Sequence, residues 1–343
     1  MSILPRGNRV VLCRPLGGLN DLLCQVQKAW SFAEKTGRDL ILDTRESGLL
    51  TDWDRFFVSL DHGSLDNRVA VTPRLSDSEY ESLESLTCSP EWLEGRLGRF
   101  FSLTLEQRAA EMGEQVLPAI RLPAEDPSTE LVVHHQRGGG NQSRKLLRRI
   151  RVTDDIRTEL IKRTRDLPAH YVAAHIRATD YTTQGEGFLW RLRKVARGLS
   201  VFIATDNPHV RDLARDLFAP GQLITFDDPE LVPAGVPLHE VDRYQSEADK
   251  VEATTRVLRD LFVASRADQF CYTYIDQPGK FGELRASGLS RLAAYLTDHP
   301  EVRESFFATG DAPVSGRGRS QLLAPLHQRL RGVLGQRRAR NER

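Results

Sequence analysis

The stretch "HIRATD", residues 175–180, sets an imidazole, a guanidinium and a carboxylate within six positions, at the close of the apolar run "HYVAAHI". An arginine at such a strand end offers a permanently charged, planar fork that matches phosphate oxygens in two places. It also suits a salt bridge, for instance with Asp180 three residues on. In "RASGLSRLAAYL", Ser287, Gly288 and Ser290 open a helix rich in Leu and Ala. A small-residue turn there turns free backbone N–H groups and the positive end of the helix dipole toward an anion. It serves equally as an ordinary cap. Arg177 and this helix start together make a diphosphate site that needs no metal. Asp206 and Asn207 follow the run "SVFIAT", and Asp227 and Asp228 follow "QLITF". These acids are then free to accept hydrogen bonds from ribose hydroxyls or from a base with N–H donors. Asp206 in "ATD" also reads as the N-cap of the next helix.

The elements that must position these groups alternate between short apolar runs and longer amphipathic ones, the signature of parallel α/β units. In the second half, strands are expected at 170–176, 200–205, 222–226 and 268–274, with helices at about 188–198, 208–218, 247–266 and from 287. The 247–266 helix groups Val251, Leu258, Leu261 and Phe262 on one face. In the first half, strands are expected at 8–13, 39–44, 68–72 and 130–135, with a helix over 19–35. The segment "SDSEYESLESL" reads as a solvated helix face. Two consecutive α/β units imply two Rossmann-like domains facing a cleft, with ligands at the carboxyl ends of the strands. The boundary is placed at "RGGGNQSRK", giving domains 1–145 and 146–312. In the tail, 313–343, eight arginines stand against Glu342, and Leu322, Leu323, Leu326, Leu330, Val333 and Leu334 share one possible helix face. Two readings stay open for it, a frayed terminus and a peripheral contact with an anionic membrane.

The N-terminal "LGGLNDLLCQ" repeats the order strand, glycine turn, helix. It matches neither G-x-G-x-x-G nor the P-loop pattern, so a dehydrogenase or P-loop enzyme lacks its fingerprint. Gly17 and Gly18 permit close approach of a ligand or of the other domain, with Asn20 and Asp21 exposed at the helix start. A tight turn capped by Asn20 is the alternative.

Composition narrows the classes. Among 343 residues, 48 Lys+Arg balance 47 Asp+Glu for a net charge of +1, which argues against a nucleic-acid binder. The four cysteines show no C-x-x-C pair, and a reducing compartment is expected. Neither a charged leader before a long apolar stretch nor an apolar run of about 18 residues is present. The expectation is a cytoplasmic protein.

"HIRATD" resembles the H-x-R-x-x-D strand end of the GDP-fucose-dependent fucosyltransferases, the superfamily of α1,6-fucosyltransferases, NodZ proteins and protein O-fucosyltransferases. Three further stretches resemble that family in its own order: residues 15–44, "VFIATDNP" (201–208), and "RDLFVASRADQF" (259–270) followed by "SGLSRLAAYL". The resemblance spans about 15 to 297. It implies a GT-B fold, donor nucleotide in the C-terminal domain, acceptor glycan on the N-terminal one, and inverting transfer of L-fucose from GDP-fucose without a metal. Arg177 would neutralise the leaving β-phosphate. His175, Asp180, Asp206, Asp260, Ser287, Gly288 and Ser290 would line the donor site, with Gly17, Gly18 and Asn20 across from them. "FDDPE" is then a pair of surface acids and not a metal-binding D-x-D. Glu186, in "YTTQGEGF", is the candidate general base, or an exposed loop acid. Some family members carry a second arginine and a lysine where this chain has Ala178 and Tyr181. Those departures keep two rivals open: a transferase for another nucleotide sugar, and an inactive nucleotide- or glycan-binding module.

Overall fold

The protein is described from a computed structural model, which covers residues 9–60, 69–114, 119–178, 185–226, 228, 246–275 and 285–307. The tail 313–343, Asp180 and Tyr181 lie outside these residues. Two compact units form, Met1–Thr158 with Leu238–Val257, and Glu159–Pro237 with Leu258–Arg343.

In the first unit, β1 (Val10–Cys13) is fully buried. A strand with both faces covered reads as a continuous apolar run, and "VVLC" is one. It pairs in parallel with β2 (Asp39–Leu42) on one side and, on the other, with β6 (Leu131–His134). Short flanking strands β4 (Val71–Thr72) and β5 (Cys88–Ser89) complete the order β4-β2-β1-β6-β5. Helix α1 (Leu19–Thr36) ends at Gly37, whose φ of 64° is the left-handed closure that glycine adopts without strain. One sheet face packs Val10, Leu12, Leu131 and Val133 against Leu83, Leu93, Leu97 and Phe100. Helix α2 (Asp77–Leu83) lies in the stretch expected to be solvated, and it buries Tyr80 and Leu83.

The boundary lies further along than the glycine run suggested. Past that run come α5 (Ser143–Leu146) and β7 (Ile150–Val152), which pairs antiparallel with β3 (Phe57–Ser59). Leu146, Leu147, Ile150 and Val152 are all fully buried, so this segment is core of the first unit and not a linker.

The second unit holds β8 (Tyr171–Ile176), α7 (Gly185–Ala196), β9 (Ser200–Thr205), α8 (Pro208–Leu217), β10 (Leu223–Ile224), α9 (Glu247–Arg266, shared with the first unit) and β11 (Gln269–Tyr272). The order β10-β9-β8-β11 is parallel throughout. Val172, Ala174 and Ile176 meet Phe188, Leu189 and Leu192 of α7 and Val210 and Ala214 of α8. Tyr171, on the opposite face, donates its hydroxyl to the Val263 carbonyl of α9 at 2.8 Å. The last expected strand is broken. Thr273 interrupts it, and β12 (Tyr274–Ile275) turns to pair antiparallel with β13 (Arg285–Ala286), which leads into α10 (Gly288–Asp298). Among the described residues, no helix is long and apolar enough to cross a membrane.

Candidate active site

In a doubly wound sheet, the crevice forms where successive connections leave in opposite directions. In the second unit that point is the carboxyl end of β8, between β9 and β11. His175, in the last turn of β8, is buried, and Ser290 Oγ and Ser287 Oγ lie 2.7 and 3.2 Å from its Nδ1. Burial lowers its pKa to about 4; Asp206 opposes this and the Arg177 charge adds to it. Arg177 follows, its Nη1 2.7 Å from Asp206 Oδ2, with the arginine side chain 19% exposed and the aspartate 10%. The β8–β9 register sets Ile176 opposite Thr205, so the next residue on each strand, Arg177 and Asp206, comes side by side.

Arg177 pairs with Asp206, the next strand's acid, and the partner expected for it, Asp180, lies outside the described residues. One expectation is corrected. Asp206 does not cap α8. Asn207 does, accepting from Val210 N, and its amide also donates to the Ala178 carbonyl at 2.8 Å. Beyond the ion pair, neither Asp206 oxygen has a hydrogen-bond partner among the described residues. Thr273 was missed in the sequence. Its N–H bonds the His175 carbonyl at 3.1 Å, and its hydroxyl accepts from Arg177 N at 3.4 Å.

Gly288 begins α10, with Ser287 as N-cap accepting from Ser290 N. Ser290 is fully buried, and its hydroxyl meets His175. Asp260 is held by Arg259, Nη2 to Oδ1 at 2.7 Å. Arg259 also grips Asp228 and lies 4.1 Å over the Phe226 ring. Asp228, expected as a surface acid, is therefore one arm of a buried guanidinium's ion pairs; Asp227 lies outside the described residues. Glu186 is exposed in the first turn of α7, which begins three residues earlier than expected. A carboxylate there also complements the helix dipole. Among the described residues, no cluster of His, Cys, Asp and Glu has the makings of a metal site.

The first unit has its own strand-end chemistry. Gly17 takes φ 91°, in the left-handed region, and Gly18 is the N-cap of α1 without a side-chain cap bond. Asn20 is not exposed as expected. It is 3% accessible, its Oδ1 accepts from Ser143 Oγ at 2.8 Å, and its Nδ2 has no partner among the described residues. Gly48 presses on the glycine turn, its N–H bonded to the Gly17 carbonyl at 2.6 Å. A Cβ at position 48 would sit 2.7 Å from that oxygen and 2.8 Å from Gly18 Cα. Gly48→Ala is therefore expected to destabilise the protein by about 2 kcal/mol, through forced backbone movement. The check is a melting midpoint lowered by about 5 °C; an unchanged midpoint would show the turn yields freely.

Beside this turn lies a buried ionic network that sequence reasoning did not find. Arg14, directly after β1, meets Asp43 Oδ2 at 3.0 Å, directly after β2, and stacks 3.9 Å over Phe101. Tyr80 donates to Asp43 at 2.7 Å, and Arg45 binds both its oxygens. Burial opposes the Asp43 charge, but the Arg14 and Arg45 charges prevail and hold the carboxyl far below the usual range. Arg108 forks onto both oxygens of Glu46 and donates to the Phe100 and Phe101 carbonyls. His135, fully buried, places Nδ1 2.8 Å from the Arg14 carbonyl. The signal available in the sequence was a charge immediately after each of two apolar runs.

Burial, the main cause in each case, holds His134 at about 4, His135 at about 3 and His175 at about 4. An unfolded histidine titrates near 6.5. Between those values the unfolded chain binds protons that the folded one refuses, so stability falls as pH drops from about 6.5 toward 4. Each group contributes on the order of 1–2 kcal/mol by pH 5. The urea midpoint should fall clearly between pH 7.5 and pH 5; equal midpoints would contradict the neutral, buried imidazoles.

Two parallel α/β units, each with polar groups gathered at its central strand ends, define an architecture that takes ligands at those ends. By sequence, neither a family model nor a curated protein matches the chain. Solved structures do. The crystal structure of NodZ α-1,6-fucosyltransferase soaked with GDP-fucose aligns with a TM-score of 0.54 at 21% identity, over 84% of this chain and 92% of that one. Fucosyltransferase NodZ from Bradyrhizobium gives 0.53 at 20% identity, over 83% and 91%. The fold is therefore that of these fucosyltransferases, the GT-B type.

Proposed function

We propose that the protein is an inverting, metal-independent glycosyltransferase that moves L-fucose from GDP-fucose to a glycan hydroxyl. The observation that carries this reading is Arg177, at the central strand end of a NodZ-like fold, ion-paired with the Asp206 carboxylate in the same crevice as His175 and the start of α10. Phosphate oxygens would take the place of Asp206 on the guanidinium. The bond from the anomeric carbon to the β-phosphate oxygen breaks, and its electron pair leaves with GDP. Arg177 and the N-terminus of α10 stabilise the charge that develops there. The acceptor oxygen forms the new bond from the opposite face and passes its proton to a carboxylate, for which Glu186 is the candidate. His175, Asp206, Asp260 and Gly288 contribute to the donor site, and Gly17, Gly18 and Asn20 are the first unit's own candidates for binding the donor. The basic stretch 313–343 adds a peripheral contact with an anionic membrane.

The test is GDP release and product analysis with GDP-fucose and a panel of glycans, with and without EDTA. Transfer that survives chelation and inverts the anomeric centre supports the reading; turnover only with UDP- or ADP-sugars contradicts it. Ala178 favours a second reading, a nucleotide-binding module without turnover. Its side chain packs against the apolar core where some fucosyltransferases place a second cation. Tight GDP binding with neither transfer nor donor hydrolysis would favour that module.

A further inference from the structure

The protons around His175 can be counted. Ser287 Oγ donates to Ser290 Oγ at 3.0 Å and accepts the Ser290 N–H at 3.2 Å. Its Oγ also lies 3.2 Å from His175 Nδ1, but its single hydroxyl proton is directed at the nearer Ser290 Oγ. Ser290, fully buried, must place its own hydroxyl proton on an acceptor, and His175 Nδ1 lies 2.7 Å away. Were Nδ1 protonated, Ser290 would receive two donors while its own proton faced no acceptor among the described residues, and buried donors are rarely left so. The ring proton therefore belongs on Nε2, which has no partner among the described residues. An imidazolium is disfavoured as well, because Nδ1 faces the positive end of α10 and Arg177 stands two residues on. The remaining charged neighbour, Asp206, is already paired with that arginine.

We infer that Ser287 and Ser290 form a positioning relay that acts through His175, fixing its Nε2–H tautomer so that the strand end offers the ligand one hydrogen-bond donor and no acceptor. This rests on the reading of the crevice as a nucleotide site. The relay then serves specificity through the ring: a ligand atom that accepts a hydrogen bond is taken, and an amino group at the same place meets a like donor. The relay spans 115 residues of sequence between His175 and Ser290. A tautomer fixed in advance removes the need for the ligand to select one form of the ring from two.

The test begins with nitrogen-15 NMR of histidine-labelled, ligand-free protein, with the His175 signals assigned by their loss in His175→Gln. The expected spectrum shows a neutral ring protonated at Nε2. Ser290→Ala should mix the two tautomers and weaken GDP binding about tenfold. In the His175→Gln background, where the amide nitrogen supplies a donor that needs no tautomer, adding Ser290→Ala should leave GDP binding unchanged. A wild-type ring protonated at Nδ1 overturns the relay, and so does an equal loss from Ser290→Ala in both backgrounds, which would mark Ser290 as merely structural. An Nε2–H ring in a protein that binds no GDP would instead overturn the nucleotide reading.

Discussion

Arg177→Ala is expected to lower fucosyl transfer about 10³-fold while the protein stays folded. The size follows from what one guanidinium does for a departing phosphate. A single preorganised donor at developing charge is worth about 10²–10³ in rate, and an arginine at a transferring phosphoryl group up to about 10⁵. Folding should survive because the backbone around Arg177 has other supports. The β8–β9 ladder runs through Ile176, Asn207 holds the Ala178 carbonyl, and Thr273 Oγ accepts from Arg177 N. Arg177→Lys keeps a charge but loses the fork, and an intermediate loss of about 10–10²-fold is expected. Initial rates with a circular-dichroism melt separate the two effects. Retention of more than a tenth of wild-type activity by Arg177→Ala would remove Arg177 from the mechanism.

Arg108→Met is expected to destabilise the first unit by about 3 kcal/mol or more. Arg108 is 1% exposed, and its side chain supplies both bonds to Glu46 together with the donors for two backbone carbonyls. Burial works against the Glu46 charge, but the Arg108 bonds and the Arg14 charge hold its carboxyl below the usual range. Removing one partner of such a pair leaves a charge without compensation, at a cost of about 3–5 kcal/mol when burial is complete. Glu46 is 26% exposed, which places the expectation at the lower end. Adding Glu46→Gln should restore part of the loss, because the stranded charge disappears with it. Urea melts of the single and double variants check this. Additive destabilisation, with no recovery, would mean that the carbonyl bonds and not the ion pair carry the effect.

The strands of the second unit were legible because each is a continuous apolar run between amphipathic helices. "HYVAAHI" and "SVFIAT" correspond to β8 and β9 within one residue at either end. A strand of two residues at a sheet edge, such as β5, carries no period to read. The glycine run at 138–140 suggested a linker, yet the chain continues into β7, whose partner β3 lies some ninety residues earlier. A pairing that distant leaves no local mark.

The site was legible as a list of residue types and not as a set of partnerships. Arg177 and His175 stood out because charge ends an apolar strand. That Arg177 meets Asp206 follows only from the parallel register of β8 and β9. Ser287 was readable as a cap, but the bond from Ser290 to His175 depends on how α10 lies against the sheet. Asn20 was expected at a solvated helix start and is buried, because Ser143 of α5 packs over it. The Arg14, Asp43 and Arg108 network escaped notice for the same reason. Its members come from two strand ends and from α4 (Leu105–Glu111), and no short motif contains them.

The most direct test of the central claim is isothermal titration of the protein with GDP, GDP-fucose, GDP-mannose, UDP and NAD, repeated with Arg177→Ala. Binding selective for guanine nucleotides, and lost or strongly weakened in the variant, is the predicted result. Failure of every guanine nucleotide to bind, or equal binding by wild type and Arg177→Ala, would contradict it and leave the likeness to NodZ as one of architecture alone.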